Sequence, residues 1–592
     1  MWGGTRLLLM KEGAVDRDAL PALGSELGAG GPMGRWRWTA ALLIAALALL
    51  ENLAGNARTG LWDRDEPRYA VAVREMRSRG DWIFPTFNDQ PRYHKPILIY
   101  WLMGLSTAIA GNSPFGARLV SGLAGSATCV LIWAIGRRMW GPRAGFLAGL
   151  MLAVSPIMVA ESKLATTDAT LTLWLVGCQF CLRELALRPS RALAAVFWVC
   201  LSLACLTKGP IGPVFLAASI ALAWWWGWPV ARVWKRLFPR WGLLGLAVAT
   251  LPWFLTIAVV SHGEFLRFAL GTQLVQRLTS GMEEHGGFPG YYLSLSALAF
   301  YPWSVLVPAA VWGAWTRRKT NPDFGFLLGW VIGPWLFLEC LPTRLLHYFL
   351  PAYPACALLA AWMVEAVAGE DVTLRRWPLG RLGLGLLGGI GIAGTIVLLA
   401  AAVTLPAPLR LPLALLAVVL GAGTLTGMLW LHRGLTSQAG IGLGLTWAVF
   451  MLIVGGWLIP AAEPYRTSRR IGERLAVLSA RTGVEPVLLN YQEPGVIYAM
   501  AKPVATVRDR AGFYDLLDRK VSLLTVIEPG EAPVLRDRYR LDVNIIDGVE
   551  GFSLTKGQNS VLQFAVLRRS AAALPREEST VRAGHVEQSL VK

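Results

Sequence analysis

The residues best equipped for chemistry crowd into one stretch, "GLWDRDEPRYAVAVREMRSRGDWIFP", from Gly60 to Pro85. It sets Asp63, Arg64, Asp65, Glu66, Arg68, Arg74 and Glu75 directly behind the first apolar run of a chain that is 54% hydrophobic and only 16% charged. Carboxylates of this kind accept protons or orient a nucleophile, and cations beside them stabilise developing negative charge. Charge beside an apolar run is more ordinarily a solvated membrane flank, so the case for chemistry depends on what other segments bring to the same place.

The elements that must position these groups are membrane spans. A chain of 592 residues with mean hydropathy +0.47 and 27 Trp, carrying repeated apolar stretches near the ~20 residues needed to cross a bilayer, reads as a polytopic α-helical membrane protein. The net charge of +18 sits mostly in short connectors between apolar runs, where the positive-inside rule places it, and argues against a nucleic-acid partner. Every cysteine falls within or beside an apolar run; Cys178 and Cys181 form a CxxC with no second pair, which suits small core residues better than zinc or redox ligands. "GLGLLG", Gly383 to Gly388, matches GxGxxG but lies inside an apolar run, where glycine packs helices together. HExxH, Walker A and GxSxG motifs do not occur in the sequence.

Apolar runs begin near Trp38, Ile97, Phe115, Ala144, Ala169, Ala192, Ile211, Trp241, Tyr292, Phe324, Leu346, Leu382, Leu411 and Ile441. The short run from Ile97 to Ala110, bounded by Pro96 and Gly111, is assigned to the interface; about thirteen spans then remain, and the basic connectors all fall on the cytoplasmic side. Those connectors include "RRMWGPR", "RELALRPSR", "ARVWKRLFPR" and "TRRKTNPD". On this topology Asp65, Glu66, Lys95, Asp168, Lys208, Arg277, Arg344 and His347 share the opposite, extracytoplasmic face. Carboxylates mixed with Lys and Arg fit a reaction on a phosphate-bearing substrate. From Glu66 to Arg79 the sequence suits a short amphipathic interfacial helix, with Pro67 in its first turn and Asp65 just outside it.

The expected organisation is a disordered N-terminal extension over 1–34, a transmembrane domain over 35–460 with a first external loop at 55–114, an extracytoplasmic α/β domain over 461–570, and a disordered tail over 571–592. Met33 is an alternative start to Met1, and the first apolar run is expected to be retained as a span. In the α/β domain "EPVLLNY", "GVIYAM", "VSLLTVIE" and "LQFAVLRR" read as strands, and "SRRIGERLAVLSART" and "AGFYDLLDR" as helices.

Six stretches in order carry a resemblance: "DRDEPRYAVAVREM", "DWIFPTFNDQPRYHKPILIYWLMGL", "LATTDATLTLWL", "ACLTKGPIGPVF", "QRLTSGMEEHGGFPGYY" and "LPTRLLHYFLPAYPACALLAA". Together they resemble the aminoarabinose transferase and protein O-mannosyltransferase superfamily of bacterial membrane glycosyltransferases, over about Trp38 to Trp362 and more weakly beyond. The resemblance implies the C-type glycosyltransferase fold in the bacterial inner membrane, with the active site facing away from the cytoplasm. It also implies an inverting transfer from a polyprenyl-phosphate sugar donor to an envelope glycolipid, glycan or protein.

Residue by residue, the resemblance marks Asp65 and Glu66 as the acidic pair of the first external loop and Asp168 as the second acidic site. Arg68, Tyr69, Tyr93, Lys95, Lys208, Arg277, His347 and Tyr348 fall on substrate- or phosphate-binding motifs. His94 stands where aminoarabinose transferases carry an acidic residue, Ile97 replaces a second proline, and Leu274 lies where a histidine would align. These departures put a divalent-metal site in question, with His94 as the substitute ligand. Lys95, Lys208 and Arg277 are the expected stabilisers of the departing phosphate, and Asp65 the expected base for a hydroxyl acceptor; with a phosphate acceptor, already ionised, Asp65 would instead orient it or stabilise an oxocarbenium-like centre. The alternative is a transporter or flippase of lipid-linked sugars, which would place ionisable groups near mid-bilayer and often show an internal repeat.

Overall fold

The computed structural model describes residues 32–62, 65–269, 271, 287–369, 374, 379–489, 493–507, 515–517, 519–553 and 558–569. Most of the expected N-terminal extension, the expected tail, Asp63, Arg64, Leu274 and Arg277 lie outside them.

Among the described residues nine helices precede Gly227: α1 Pro32–Leu53, α2 Glu66–Arg79, α3 Leu98–Ala110, α4 Pro114–Trp140, α5 Pro142–Ala153, α6 Pro156–Ser162, α7 Asp168–Leu187, α8 Arg191–Lys208 and α9 Ile211–Trp225. Proline opens α2, α4, α5 and α6, where its fixed φ suits the first turn and its missing N–H costs nothing. Among the described residues eight helices are long and apolar enough to cross a bilayer, and nine if α5 and α6, bent by 59° at a short break, count as one. The apolar parts of α1 and α9 are shorter. The run given to the interface is α3, a 13-residue helix ended by Gly111 at φ 84°.

One hairpin decides where the site sits. Helix α7 is 20 residues long, about 30 Å at 1.5 Å per residue, which matches the bilayer core. Residues 188–190 then turn the chain; Ser190 accepts a hydrogen bond from Leu193 N and starts α8. Two packed antiparallel helices bring the first residue of α7 and the last of α8 to the same face. At the other end Arg183 pairs with Glu184 at 2.8 Å and Asp323 at 2.9 Å, tying α7 to the Pro322–Glu339 helix. The "GLGLLG" glycines lie within the Gly380–Thr404 helix; a Cβ on Gly383 would fall 2.0 Å from Val305 O, so close packing requires glycine there.

Beyond Ala462 the chain forms the amphipathic Thr467–Thr482 helix and a three-stranded antiparallel sheet in which Gln558–Arg569 lies between Ser522–Ile527 and Leu541–Ser553. "VSLLTVIE" and "LQFAVLRR" are strands, whereas "GVIYAM" is the helix Pro494–Met500. Pro494 opens this helix, and Val496, Ile497 and Met500 share a helical face packed with Ile471 and Leu475. Most of "AGFYDLLDR" lies outside the described residues. Val71 of α2 joins the same apolar cluster, so the first loop and the C-terminal region share a core.

Candidate active site

Asp168 is the first residue of α7 and Lys208 the last of α8. A carboxylate suits a helix N-terminus and an ammonium a helix C-terminus, so each helix dipole favours the charge placed on it. The hairpin brings them together: Lys208 Nζ donates to Asp168 Oδ1 at 2.6 Å, with both side chains about one-tenth exposed. The ammonium also lies 5.1 Å from the centre of the Tyr348 ring, a cation–π contact. Gly209, at φ 66°, turns the chain immediately after the lysine.

Two further groups complete this cluster. His347 opens out of an extended Leu345 and stands edge-on to Tyr348, ring centres 4.9 Å apart. Its Nδ1 lies 4.0 Å from Oε1 of Glu161, a buried carboxylate on α6. Asp168, Lys208, Asp65 and Lys95 all act electrostatically on His347, so residues from widely separated segments share one field. Sequence reading missed Glu161; its position two residues before "KLATTD" was the available signal.

The acidic pair of the first loop divides. Asp65 caps α2 from outside with its side chain 66% exposed, and Arg68 Nη1 lies 4.0 Å away, so its carboxylate is open to a substrate. Glu66 is 1% exposed and accepts hydrogen bonds from Arg118 Nε at 2.8 Å, Arg118 Nη2 at 2.6 Å, Trp62 N at 2.6 Å and Ala165 N at 2.6 Å. These donors fill the carboxylate's acceptor sites and leave none for a substrate. Glu66, expected to be catalytic, thus fastens the first loop and the turn carrying Asp168 to Arg118 in this structure. Arg118 escaped notice because a lone arginine in an apolar run reads as a flank.

Tyr69, expected to bind substrate, is instead buried. Its ring packs 5.7 Å from Tyr100 and beneath the Arg92 guanidinium at 5.1 Å, and burial, then the neighbouring Tyr100, holds its phenol well above the usual range. Arg92 also donates to Tyr100 Oη at 3.1 Å, so this group supports the loop from below. Tyr93 lies in an aromatic cluster with Phe84, Phe265 and Phe268, its hydroxyl donating to Glu264 at 3.2 Å. Lys95 is half-buried and acts electrostatically on Asp168. Arg344 donates to the carbonyls of Gly287 and Glu339 and pairs with Glu339 at 3.2 Å, which makes it a loop clamp. His94 is exposed with its ring 4.8 Å from Phe268, and among the described residues no group of three or more His, Cys, Asp or Glu could hold a metal ion.

Comparison with known proteins follows this geometry. Residues 94–255 match the family model of dolichyl-phosphate-mannose-protein mannosyltransferase. The undecaprenyl phosphate-alpha-4-amino-4-deoxy-L-arabinose arabinosyl transferase of Pectobacterium atrosepticum is 32% identical over 336 residues, 54% of this chain and 58% of that protein. Its Pseudomonas aeruginosa namesake is 31% identical over 363 residues, 59% and 64% of the two chains. The chain thus spans less than two thirds of the length of these curated relatives.

Among solved structures, ArnT from Cupriavidus metallidurans bound to undecaprenyl phosphate superposes with TM-score 0.72 at 21% identity, over 91% of this chain and 99% of that one. The oligosaccharyltransferase AglB of Archaeoglobus fulgidus gives 0.52 at 12% identity, over 89% and 74%. A multi-pass membrane protein with the C-type glycosyltransferase fold is what this architecture defines. Within that class, the chain is similar in sequence to the aminoarabinose transferases and, over residues 94–255, to the protein mannosyltransferases.

Proposed function

We propose that this protein is an inverting glycosyltransferase that moves a sugar from a polyprenyl-phosphate donor to an envelope glycolipid, glycan or protein. The site and the C-terminal α/β domain, residues 461–570, face away from the cytoplasm across the bacterial inner membrane. The observation that carries this reading is the buried Lys208–Asp168 pair, in contact with Tyr348 and sharing with the open carboxylate of Asp65 an electrostatic effect on His347.

The roles follow from charge. The donor's phosphate gains negative charge as its bond to the anomeric carbon breaks, and preplaced cations in a water-poor site lower that barrier by several kcal/mol. Lys95, Lys208 and Arg277 take this role, with Asp168 aiming Lys208. Asp65, at the mouth of the site, takes the proton of a hydroxyl acceptor attacking the opposite face of the sugar. Tyr93 and its aromatic neighbours offer an apolar wall suited to the prenyl chain. Arg68 sits beside Asp65 and orients it or the acceptor. The arabinosyl transferases it resembles are named for an undecaprenyl-phosphate sugar, which fits the proposed donor class.

The test is incubation of purified protein with a panel of radiolabelled polyprenyl-phosphate sugars and envelope fractions. Label should leave the prenyl carrier with the wild type and stay on it with Asp65→Asn and Lys208→Ala, both still folded and inserted. Label that remains on the carrier for the wild type with every donor would overturn the enzyme reading in favour of a transporter.

A further inference from the structure

Resting on that reading, we propose that Glu161 is a positioning residue that acts through His347, and that the two form a carboxylate–imidazole pair receiving the proton of a hydroxyl acceptor. The geometry starts from α6. Its short helix ends at Ser162, and the turn after it is fixed by Ala165 N donating to Glu66 and by Ser121 Oγ donating to Thr166 O at 3.3 Å. This holds Glu161 in the protein interior with Oε1 on the Nδ1 side of the imidazole, 4.0 Å away. At 4.0 Å the carboxyl lies beyond hydrogen-bond reach and acts on the Nδ1 side of the ring electrostatically, so Nε2, on the far side of the ring, is the nitrogen assigned to accept the proton.

The groups acting on His347 come from every side: Glu161 on α6, Asp168 at the start of α7, Lys208 at the end of α8, Asp65 before α2 and Lys95 before α3. Lys208 is already committed to Asp168 and the Tyr348 ring, so it is not placed to accept a proton. Glu66 is saturated by donors. His347, on which Asp65 acts electrostatically, is the imidazole in this field assigned to take the proton.

In the transfer, the acceptor O–H bond breaks and its oxygen forms the new bond to the anomeric carbon. The bond from that carbon to the phosphate oxygen breaks with its electron pair leaving on the phosphate. The released proton passes by way of Asp65 to Nε2 of His347, and the resulting imidazolium is stabilised by Glu161.

Diethyl pyrocarbonate acylates neutral imidazole and reads the proton equilibrium of His347 without any substrate, by mass spectrometry of the peptide that carries it. E161Q, which cannot ionise to balance an imidazolium, should move the His347 labelling midpoint to lower pH. The acidic limb of sugar transfer should move with it. In an H347Q background, E161Q should change the transfer rate no further. E161D, with its carboxylate drawn back by one methylene, should give a smaller shift in the same direction and serves if E161Q does not accumulate. An unchanged labelling midpoint in these variants, or a rate loss equal at every pH, would overturn the pairing. Failure of the wild type to transfer sugar from any donor would instead overturn the reading on which it rests, while the labelling result would still decide the Glu161–His347 contact.

Discussion

Adjacent carboxylates in this protein should give opposite phenotypes, and Glu66→Gln against Asp65→Asn is the sharpest way to see it. Glu66 and Arg118 are each 1% exposed, and the carboxylate accepts from the guanidinium twice and from the amides of Trp62 and Ala165. Glutamine keeps the shape but replaces one acceptor oxygen with an NH2 group, which must face an N–H, and it leaves the arginine charge without a buried counterion. Breaking one partner of such a pair costs about 3–5 kcal/mol. An amide left without its acceptor adds about 1–3 kcal/mol. That sum is comparable with the 5–15 kcal/mol net stability typical of a domain.

Replacing both partners by apolar residues should recover little. Arg118 also donates to the Thr59 and Gly60 carbonyls and to Thr59 Oγ1, which would lose their partner. Asp65, two-thirds exposed, should by contrast change stability by less than about 0.5 kcal/mol when made Asn, while abolishing transfer. The assay is the fraction of monodisperse protein left after heating, followed by size-exclusion chromatography, alongside turnover per folded molecule. Glu66→Gln should lose heat resistance and yield, with the surviving folded molecules retaining turnover. Wild-type heat resistance for Glu66→Gln, or a thermal loss for Asp65→Asn equal to that of its neighbour, would refute the division of labour.

Three other outcomes follow from the same coordinates. Asp168→Asn, which leaves the Lys208 ammonium nine-tenths buried without its counterion, should cost about 3–5 kcal/mol and eliminate transfer, measured by the same heating and turnover assays. Gly55→Ala should destabilise the first loop by a few kcal/mol, since its φ is 79° and a Cβ would meet Gly455 O at 2.0 Å; limited proteolysis within the loop reports it. Burial pushes Lys163 down to about 8, against the opposing pull of Glu51. A lysine depressed in the fold is charged in both states below that pH and neutral in both above its ordinary value. Heat resistance should therefore rise by roughly 3 kcal/mol between pH 8 and 10.5, and Lys163→Met should remove that dependence.

How much of this was legible in the sequence depended on whether a property is written locally. The helix Glu66–Arg79 was, because Pro67 opens it and Gly80 closes it in the left-handed region. The meeting of Asp168 and Lys208 followed from span lengths and charge asymmetry, which fix the face a residue reaches without specifying its partner. What stayed hidden were pairings across distance. Glu66 and Arg118 are separated by 52 positions and by an interfacial helix, so nothing in either neighbourhood announces the other. Tyr69 lies in the same motif as Asp65, but the helix turns it into the core, and motif membership carries no information about which side chain faces the cavity. "GVIYAM" has the composition of a strand, and only the proline before it and the apolar face formed by Val496, Ile497 and Met500 favour a helix.

The C-terminal region is better understood as a wall of the site than as an appendage. The loop that carries Asp65 and Lys95 leaves α1 at Leu53, and among its described residues no helix or strand precedes α2, so its backbone needs partners from elsewhere. They come from beyond the last span. Arg466 donates to the carbonyls of Gly60 and Leu61 at 3.2 and 2.6 Å, and Glu463 accepts from Gly60 N at 3.0 Å. Arg74 reaches the Tyr498 carbonyl at 3.0 Å, and Asn88 exchanges two hydrogen bonds of 2.8 Å with the backbone of Val504. The Arg466 guanidinium also lies 4.9 Å from the centre of the Trp62 ring, whose backbone amide holds Glu66. The chain of contact thus runs from Arg466 of the C-terminal region through the Gly60 carbonyl, Arg118 and Glu66 to Ala165 in the turn preceding Asp168. Because each link is a directional hydrogen bond between buried or half-buried groups, displacement at one end moves the carboxylates at the other. A catalytic loop held by such contacts keeps its geometry only while the distal region is docked, which is a physical reason for the two to be parts of one chain.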